Sequence, residues 1–579
     1  MAAPGERVAS ACGGTFCDAG PTAMPVEQTG ETIVFAVDDT HVEAHIQIAY
    51  DPETEASQFA WVVPVTALPE FSVGSQDFIA RLLDASVPSY GRSNWNEPCG
   101  SADDGDFDDS CDGGAGEGGD AEGERFDIGS GPDGGAEPEV VLSETVGAFE
   151  VYVLDGGTAQ GVMDWLSAND FQQDEAATPI LEEYLAEGHL FVAFRLATDA
   201  EASEIHPIVL RYEGQAPCVP IRLTRIAAQD DLEIRTLFLG DHRFASSNYP
   251  QVTLNRLKID WMNSGTNYRE VVSMALDEPG ADGHGFITEY AGPSDIVSSD
   301  GLLGEAWDPM PFTMAETPGL AVELLLDQQL VHDWTGICEG QHPLVAGLVA
   351  QHLPTPPDVP FSDLCDDPLG FANTVDPEAW DGAAFAADFE ARIIVPTVHA
   401  IELLDTWPYL TRLYTLLSPH EMTVDPMFHA TPEQPESTSL TLQGSRNRFC
   451  DGHTTFEVPG GRLVHLPQQN LWPDILPELM PWAERIEFLP AAGAPIVEVD
   501  NTESIEGVLA AWHEQVGDPR PRSSMACGDE SDSGQVPTTS SGGPGADAID
   551  GGCGCRSSDS APLGLAVFAL TLLGLRRRE

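Results

Sequence analysis

The sequence predicts an α+β fold: a mainly antiparallel β-sheet body in the first half, a more helical second half and a short C-terminal apolar helix. Three observations predict it. Apolar runs of strand type crowd residues 31–240, several alternating with the period of two expected of half-buried strands. Apolar residues at helical spacing become frequent after residue 320. Hydrophobic residues make up 42 % of the 579, enough for a packed core, which excludes wholesale disorder.

The elements follow in order. Ile33, Phe35 and Val37 alternate, Asp38-Asp39 turns, and Val42, Ala44, Ile46 and Ile48 alternate again, which predicts a β-hairpin over 31–50. Phe59–Val65 reads as a short strand and Asp77–Ala85 as a helix. Ala148–Leu154 is a strand, Val162–Ser167 and Pro179–Glu187 are helices, and Gly188 closes the second. Leu190–Leu196, Ile205–Tyr212, Val219–Ile226 and Leu232–Leu239 are strong β runs. Ala321–Val331 is a largely apolar helical stretch. Leu410, Leu413, Tyr414 and Leu417 fall at i, i+3, i+4 and i+7 with Pro419 just beyond, which predicts a helix. Ile505, Val508, Leu509 and Trp512 repeat that pattern.

These elements divide the chain. Residues 1–11 are a processing region and 12–300 an α+β domain, with an acidic low-complexity insertion at 99–139. Residues 301–516 are mainly helical. A Pro/Ser/Gly/Asp-rich linker covers 517–552, and 553–579 form a sorting or membrane tail.

Charge bounds the partners. Twenty-five Lys+Arg stand against 95 Asp+Glu, a net charge of −70, which repels nucleic acid. Lys258 is the single Lys. A solvated acidic surface is the favoured reading of this charge, ahead of specific ion sites.

Eight Cys lie in the body: Cys12, Cys17, Cys99, Cys111, Cys218, Cys338, Cys365 and Cys450. An even set fits disulfides in an oxidising compartment. Sequence proximity suggests Cys12–Cys17, Cys99–Cys111 and Cys338–Cys365, leaving Cys218–Cys450. Eight Cys allow about 105 connectivities, so other pairings stay open. Buried thiols or a metal site are the rival reading, with no CxxC pair to support zinc.

At the C-terminus, Cys553-Gly-Cys555 precedes the 15-residue apolar run Ala561–Leu575 and Arg576-Arg577-Arg578. As a helix that run spans roughly 22 Å, short of the about 20 residues a stable span needs. This order resembles the myxobacterial C-terminal sorting tail. The resemblance implies recognition by a membrane protease, cleavage near the Cys and display at the cell surface; an ordinary membrane anchor is the alternative. Met1–Ser10 holds no apolar stretch, yet Ala9-Ser10-Ala11 before Cys12 is an A-x-A cleavage pattern. The expectation is a signal peptide beginning upstream of Met1 and cut after Ala11. Cys12 as a lipidated first residue is the weaker reading.

Several stretches together resemble one family of secreted bacterial proteins, domain of unknown function 2330. They are Cys12-Gly-Gly-Thr-Phe-Cys17, Phe59-Ala-Trp-Val-Val-Pro64, Val209-Leu-Arg-Tyr212, Cys218-Val-Pro-Ile-Arg-Leu-Thr-Arg225, Leu410-Thr-Arg-Leu-Tyr414 and Met422-Thr-Val-Asp-Pro426. The resemblance covers most of residues 12–430. It implies export and a membrane-proximal or surface location, and it supplies no catalytic residues.

Two clusters have metal-ligand chemistry. His41, Glu43 and His45 share one face of the second hairpin strand. Two imidazoles and a carboxylate suit a divalent metal, but the favoured reading is the wet face of a strand. Asp104, Asp106 and Asp108 resemble the start of an EF-hand loop, whose hard oxygens suit calcium. Asp109 stands where the loop needs Gly and Ala115 where it needs Glu, so a solvated acidic linker is favoured. His420-Glu421 begins like a zincin motif but lacks the second His, and no GxSxG elbow or P-loop exists. His242, His284 and His399 remain as members of a scattered catalytic site. The expectation is an exported, surface-anchored protein acting through binding or structure, with calcium as the one cofactor in view. Its partners are a sorting protease, the membrane and an envelope or extracellular molecule. A secreted hydrolase, or a periplasm-facing accessory subunit, is the alternative.

Overall fold

The computed structural model describes residues 14–15, 28–38, 40–47, 60–98, 136–169, 171, 176–197, 204–214, 216–334, 337–468, 471–473 and 480–522. Their class is α+β, as the sequence predicts. The hairpin strands Gln28–Val37 and His41–Gln47 pair antiparallel from Thr32↔Gln47 to Val37↔Val42. They stand inside a seven-stranded sheet. Its order is Ile287–Pro293, Tyr409–Leu417, Ala228–Gly240, Gln28–Val37, His41–Gln47, Ile208–Glu213, Glu70–Val73. Every pairing is antiparallel except Ala228–Gly240 beside Gln28–Val37.

A five-stranded antiparallel sheet faces it, ordered Gly14–Thr15, Ala60–Val65, Leu190–Leu196, Phe149–Asp155, Glu139–Val146. Strand alternation builds the core between them. Ile33, Phe35, Ala44 and Ile46 point inward against Trp61, Val63, Phe149 and Phe194. The other faces are not wet. Val34, Ala36 and Leu237 pack under the helices Gln76–Ser86 and Val395–Thr406. Val62, Leu154 and Phe191 pack under Ala159–Ala168 and Ala177–Glu187. Helices thus cover both outer faces of the sandwich. Gly188 ends Ala177–Glu187 in the left-handed region at φ +85°, which a residue without Cβ adopts freely.

Helices Pro318–Asp327, Val345–His352 and Gly382–Phe389 enclose a separate core around Phe312, Leu325 and Phe385, next to the disulfide Cys338–Cys365. Beyond Thr406 the chain returns to strands. Thr441–Arg448 runs parallel to Ser89–Asn96 over eight residues, and the helix Thr502–Val516 packs near this sheet.

Three readings need correction. The stretch with apolar spacing from Leu410 is the strand Tyr409–Leu417, not a helix. Nearly every residue of it is buried, so it shows no period-two alternation. It enters the seven-stranded sheet, which therefore draws on both sides of residue 300. Within Val219–Ile226 the chain forms the short helix Ile221–Thr224, because Pro220 has no N–H for a ladder. Cys218 is a free thiol while Cys450 is disulfide-bonded, so the Cys218–Cys450 link does not exist. Among the described residues no helix is long and apolar enough to cross a membrane. Cys12, Cys17, Cys99, Cys111, Asp104, Asp106, Asp108, Cys553, Cys555 and Arg576–Arg578, to which the sequence gives disulfide, calcium and sorting roles, lie outside the described residues.

Candidate functional site

A cavity of about 490 Å³ opens between the two sheets. Its walls are the inward residues of the sandwich, among them Ile33, Phe35, Ala44, Val63 and Leu210. Small side chains at Ala44 and Pro64 leave space that larger ones would fill. Its polar groups include Arg222 on the short helix, Asp425 on the loop after Tyr409–Leu417, and Glu187 at the end of Ala177–Glu187.

These groups are locked together. Arg222 Nε donates to Asp425 Oδ2 at 2.9 Å, and its backbone N–H donates to Oδ1 at 3.0 Å. Its Nη1 and Nη2 donate to Glu187 at 2.9 and 2.6 Å. Its guanidinium carbon lies 4.1 Å from the centre of the Tyr184 ring, and the Tyr184 hydroxyl donates to Asp425 at 2.9 Å. The Asp425 loop is pinned in turn: Asn248 Nδ2 donates to the Asp425 carbonyl at 2.8 Å, and Tyr249 Oη to the Val424 carbonyl at 2.7 Å. With its guanidinium committed to three carboxylates, Glu183 at 3.4 Å being the third, Arg222 holds the wall rather than offering itself to an anion. The free thiol Cys218 also lines the cavity. Burial first, and the Asp425 carboxylate second, push its pKa well up, so it stays a neutral thiol and a poor nucleophile.

The other face of the same sheet holds a polar cluster. Glu43 and His45 are two apart and share that face, as the sequence indicates, but helices cover it and His45 is only 2 % exposed. The expected wet face is therefore a buried one. His45 Nε2 lies 2.8 Å from Glu43 Oε1, and His399 Nε2, from the helix Val395–Thr406, lies 2.5 Å from the same oxygen. Burial alone would raise the Glu43 carboxyl; hydrogen bonds from His399 and His45 outweigh it and hold the carboxyl far below the usual range. The same bond to Glu43 raises His399, against the opposing effect of burial. His41 stays outside the cluster, with Nδ1 at 2.8 Å from Thr40 Oγ1.

The three histidines suggested for a scattered catalytic site occupy three environments. His242 is exposed, His284 Nε2 lies 3.0 Å from Thr423 Oγ1, and His399 joins Glu43. Sequence reasoning missed Arg222, Asp425 and Tyr184 as partners. Arg222 and Asp425 both lie in stretches that carry the family resemblance, but nothing in either stretch indicates that they meet.

No curated protein and no solved structure matches the chain. The family described as uncharacterized protein conserved in bacteria, DUF2330, matches residues 7–306. That span contains Glu43, His45, Tyr184 and Arg222; His399 and Asp425 lie beyond it, as do the resembling stretches at Leu410–Tyr414 and Met422–Pro426. With more than half of its length matched, the chain belongs to the DUF2330 family of uncharacterized bacterial proteins.

Proposed function

We propose that this protein is exported, is held at the cell surface by its C-terminal segment, and binds a small apolar ligand in the cavity between its sheets. The cavity is the observation that carries the reading. Its volume, about 490 Å³, falls among those of small-molecule sites, and apolar walls with a few polar groups are the usual composition. With Arg222 saturated by Asp425 and Glu187, the polar end of the ligand is neutral or cationic. Export is supported by the Cys338–Cys365 disulfide, since such bonds persist in oxidising compartments. Surface anchoring is supported by the order of Cys553, Cys555, the apolar run and Arg576–Arg578. A membrane protease and the membrane would engage that tail.

The test has two arms. Native mass spectrometry of protein taken gently from the envelope is expected to find an added mass that organic extraction removes. Ala44→Phe, which fills the cavity, is expected to abolish it while leaving the melting curve in place; an added mass that survives this change overturns the binding site. Shaving intact cells with a Glu-specific protease is expected to release fragments of the chain. Protection until lysis overturns surface display. Amine labelling would be uninformative, because the single lysine, Lys258, is buried against the Trp482 ring at 3.9 Å.

A further inference from the structure

We propose that Glu43, His45 and His399 bind one first-row divalent metal ion of the zinc class. The site is on the face of the seven-stranded sheet opposite the cavity, so it is independent of the ligand proposed there.

The donors come from two elements 356 positions apart, the strand His41–Gln47 and the helix Val395–Thr406. One turn of π-helix, Glu390–Ile394, leads into that helix; such turns recur at functional sites. The three ligand atoms lie within 4.8 Å of one another. Both imidazole Nε2 atoms aim at one carboxylate oxygen, so the three donor atoms converge on one spot.

Distances are compatible with this. Bonds of about 2.0–2.1 Å to a tetrahedral ion set neighbouring ligand atoms about 3.3 Å apart. The present separations from Glu43 Oε1 are 2.8 and 2.5 Å, so the donors need to part by only several tenths of an ångström. His399 has the room, since its side chain is 37 % exposed.

The donor set selects the ion. Two nitrogens and one carboxylate suit zinc and its neighbours, whereas calcium takes six to eight oxygens. Metal-bound histidines commonly direct the second ring nitrogen to a carboxylate, and Glu402 Oε2 lies 4.0 Å from His399 Nδ1. Arg211 Nε, 4.0 Å from Glu43 Oε2, is a cation that opposes the ion; it is itself 3.7 Å from Glu70 through Nη1. Three protein ligands leave a fourth position for water on the exposed side of His399.

The acidic surface of a chain with net charge −70 attracts any cation, so the test must separate site from surface. Chelator-treated full-length protein is titrated with Zn²⁺ by calorimetry in a large excess of Ca²⁺. One equivalent is expected to bind, with at least a tenfold loss of affinity in His399→Ala. Co²⁺ in place of Zn²⁺ is expected to give the intense visible bands of a four-coordinate site, lost in the same variant. Glu43→Gln is a second variant, judged only if its far-ultraviolet spectrum matches the parent. Absence of a calcium-resistant site, or Zn²⁺ and Co²⁺ binding unchanged in His399→Ala, overturns the proposal.

Discussion

Arg222 Nε donates to Asp425 Oδ2 at 2.9 Å across 203 positions of sequence, and Tyr184 donates to the same carboxylate. The pair sits at the cavity wall with side chains 12 % and 9 % exposed. Removing one partner of a buried ion pair strands the other charge. Arg222→Met is therefore expected to lower stability by about 3 kcal/mol in urea unfolding, near the low end of such losses. Tyr184→Phe, which removes one hydrogen bond to a charged group, is expected to cost about 2 kcal/mol. Little or no loss in Arg222→Met, which keeps most of the packing, would mean that Arg222 contributes through packing alone.

A second buried pair sets part of the seven-stranded sheet. Thr288 faces Leu413 and Tyr290 faces Arg412, so Glu289 is the extra residue of a β-bulge. The bulge aims Glu289 at Arg412, whose Nε donates to Oε2 at 2.6 Å; Tyr268 Oη donates to Oε1 at 2.8 Å. Arg412→Met is expected to cost about 3–5 kcal/mol by leaving the Glu289 carboxylate uncompensated. Arg412→Met with Glu289→Gln is expected to recover more than half of that loss. Urea unfolding of the parent, both single variants and the double variant measures the coupling; additive losses would show that the two side chains act separately.

A carboxyl pair makes stability depend on pH. Burial, and then the neighbouring Glu421 carboxyl, push Asp277 from 3.8 up to about 6. The group caps the C-terminal end of the helix Tyr268–Leu276, where negative charge is also disfavoured. Because the folded value lies above the unfolded one, ionisation costs more in the folded state. The penalty is absent below pH 3.8, grows up to about pH 6 and is constant above. The site is largely exposed, so solvent screening limits the penalty to about 1 kcal/mol. Asp277→Asn is expected to stabilise the protein by that amount at pH 7.5 and to leave it unchanged near pH 3.5. A gain of the same size at both pH values would show that the effect does not come from ionisation of Asp277.

Much of the site was half legible. Glu43 and His45 were singled out by their spacing, because period-two alternation puts them on one face whatever that face meets. Their third partner was not, since His399 belongs to a helix joined to the strand only through the fold. His41 has the same spacing but sits at the strand start beside Thr40, clear of the helix. Cys218 looked like half of a long-range disulfide by elimination, and the fold instead buries it in the cavity wall.

The sequence by itself determined the local elements whose signals are local. The hairpin Gln28–Gln47, the strand Leu190–Leu196, the helix Ala177–Glu187 with Gly188, and Cys338–Cys365, 27 residues apart, follow from alternation, capping and proximity. Only the tertiary structure decided that Tyr409–Leu417 is a strand, because burial on both faces removes the alternation that marks one. It alone decided that helices cover the Glu43–His45 face and that Arg222 meets Asp425. Those outcomes depend on contacts between segments hundreds of residues apart, where no local propensity acts.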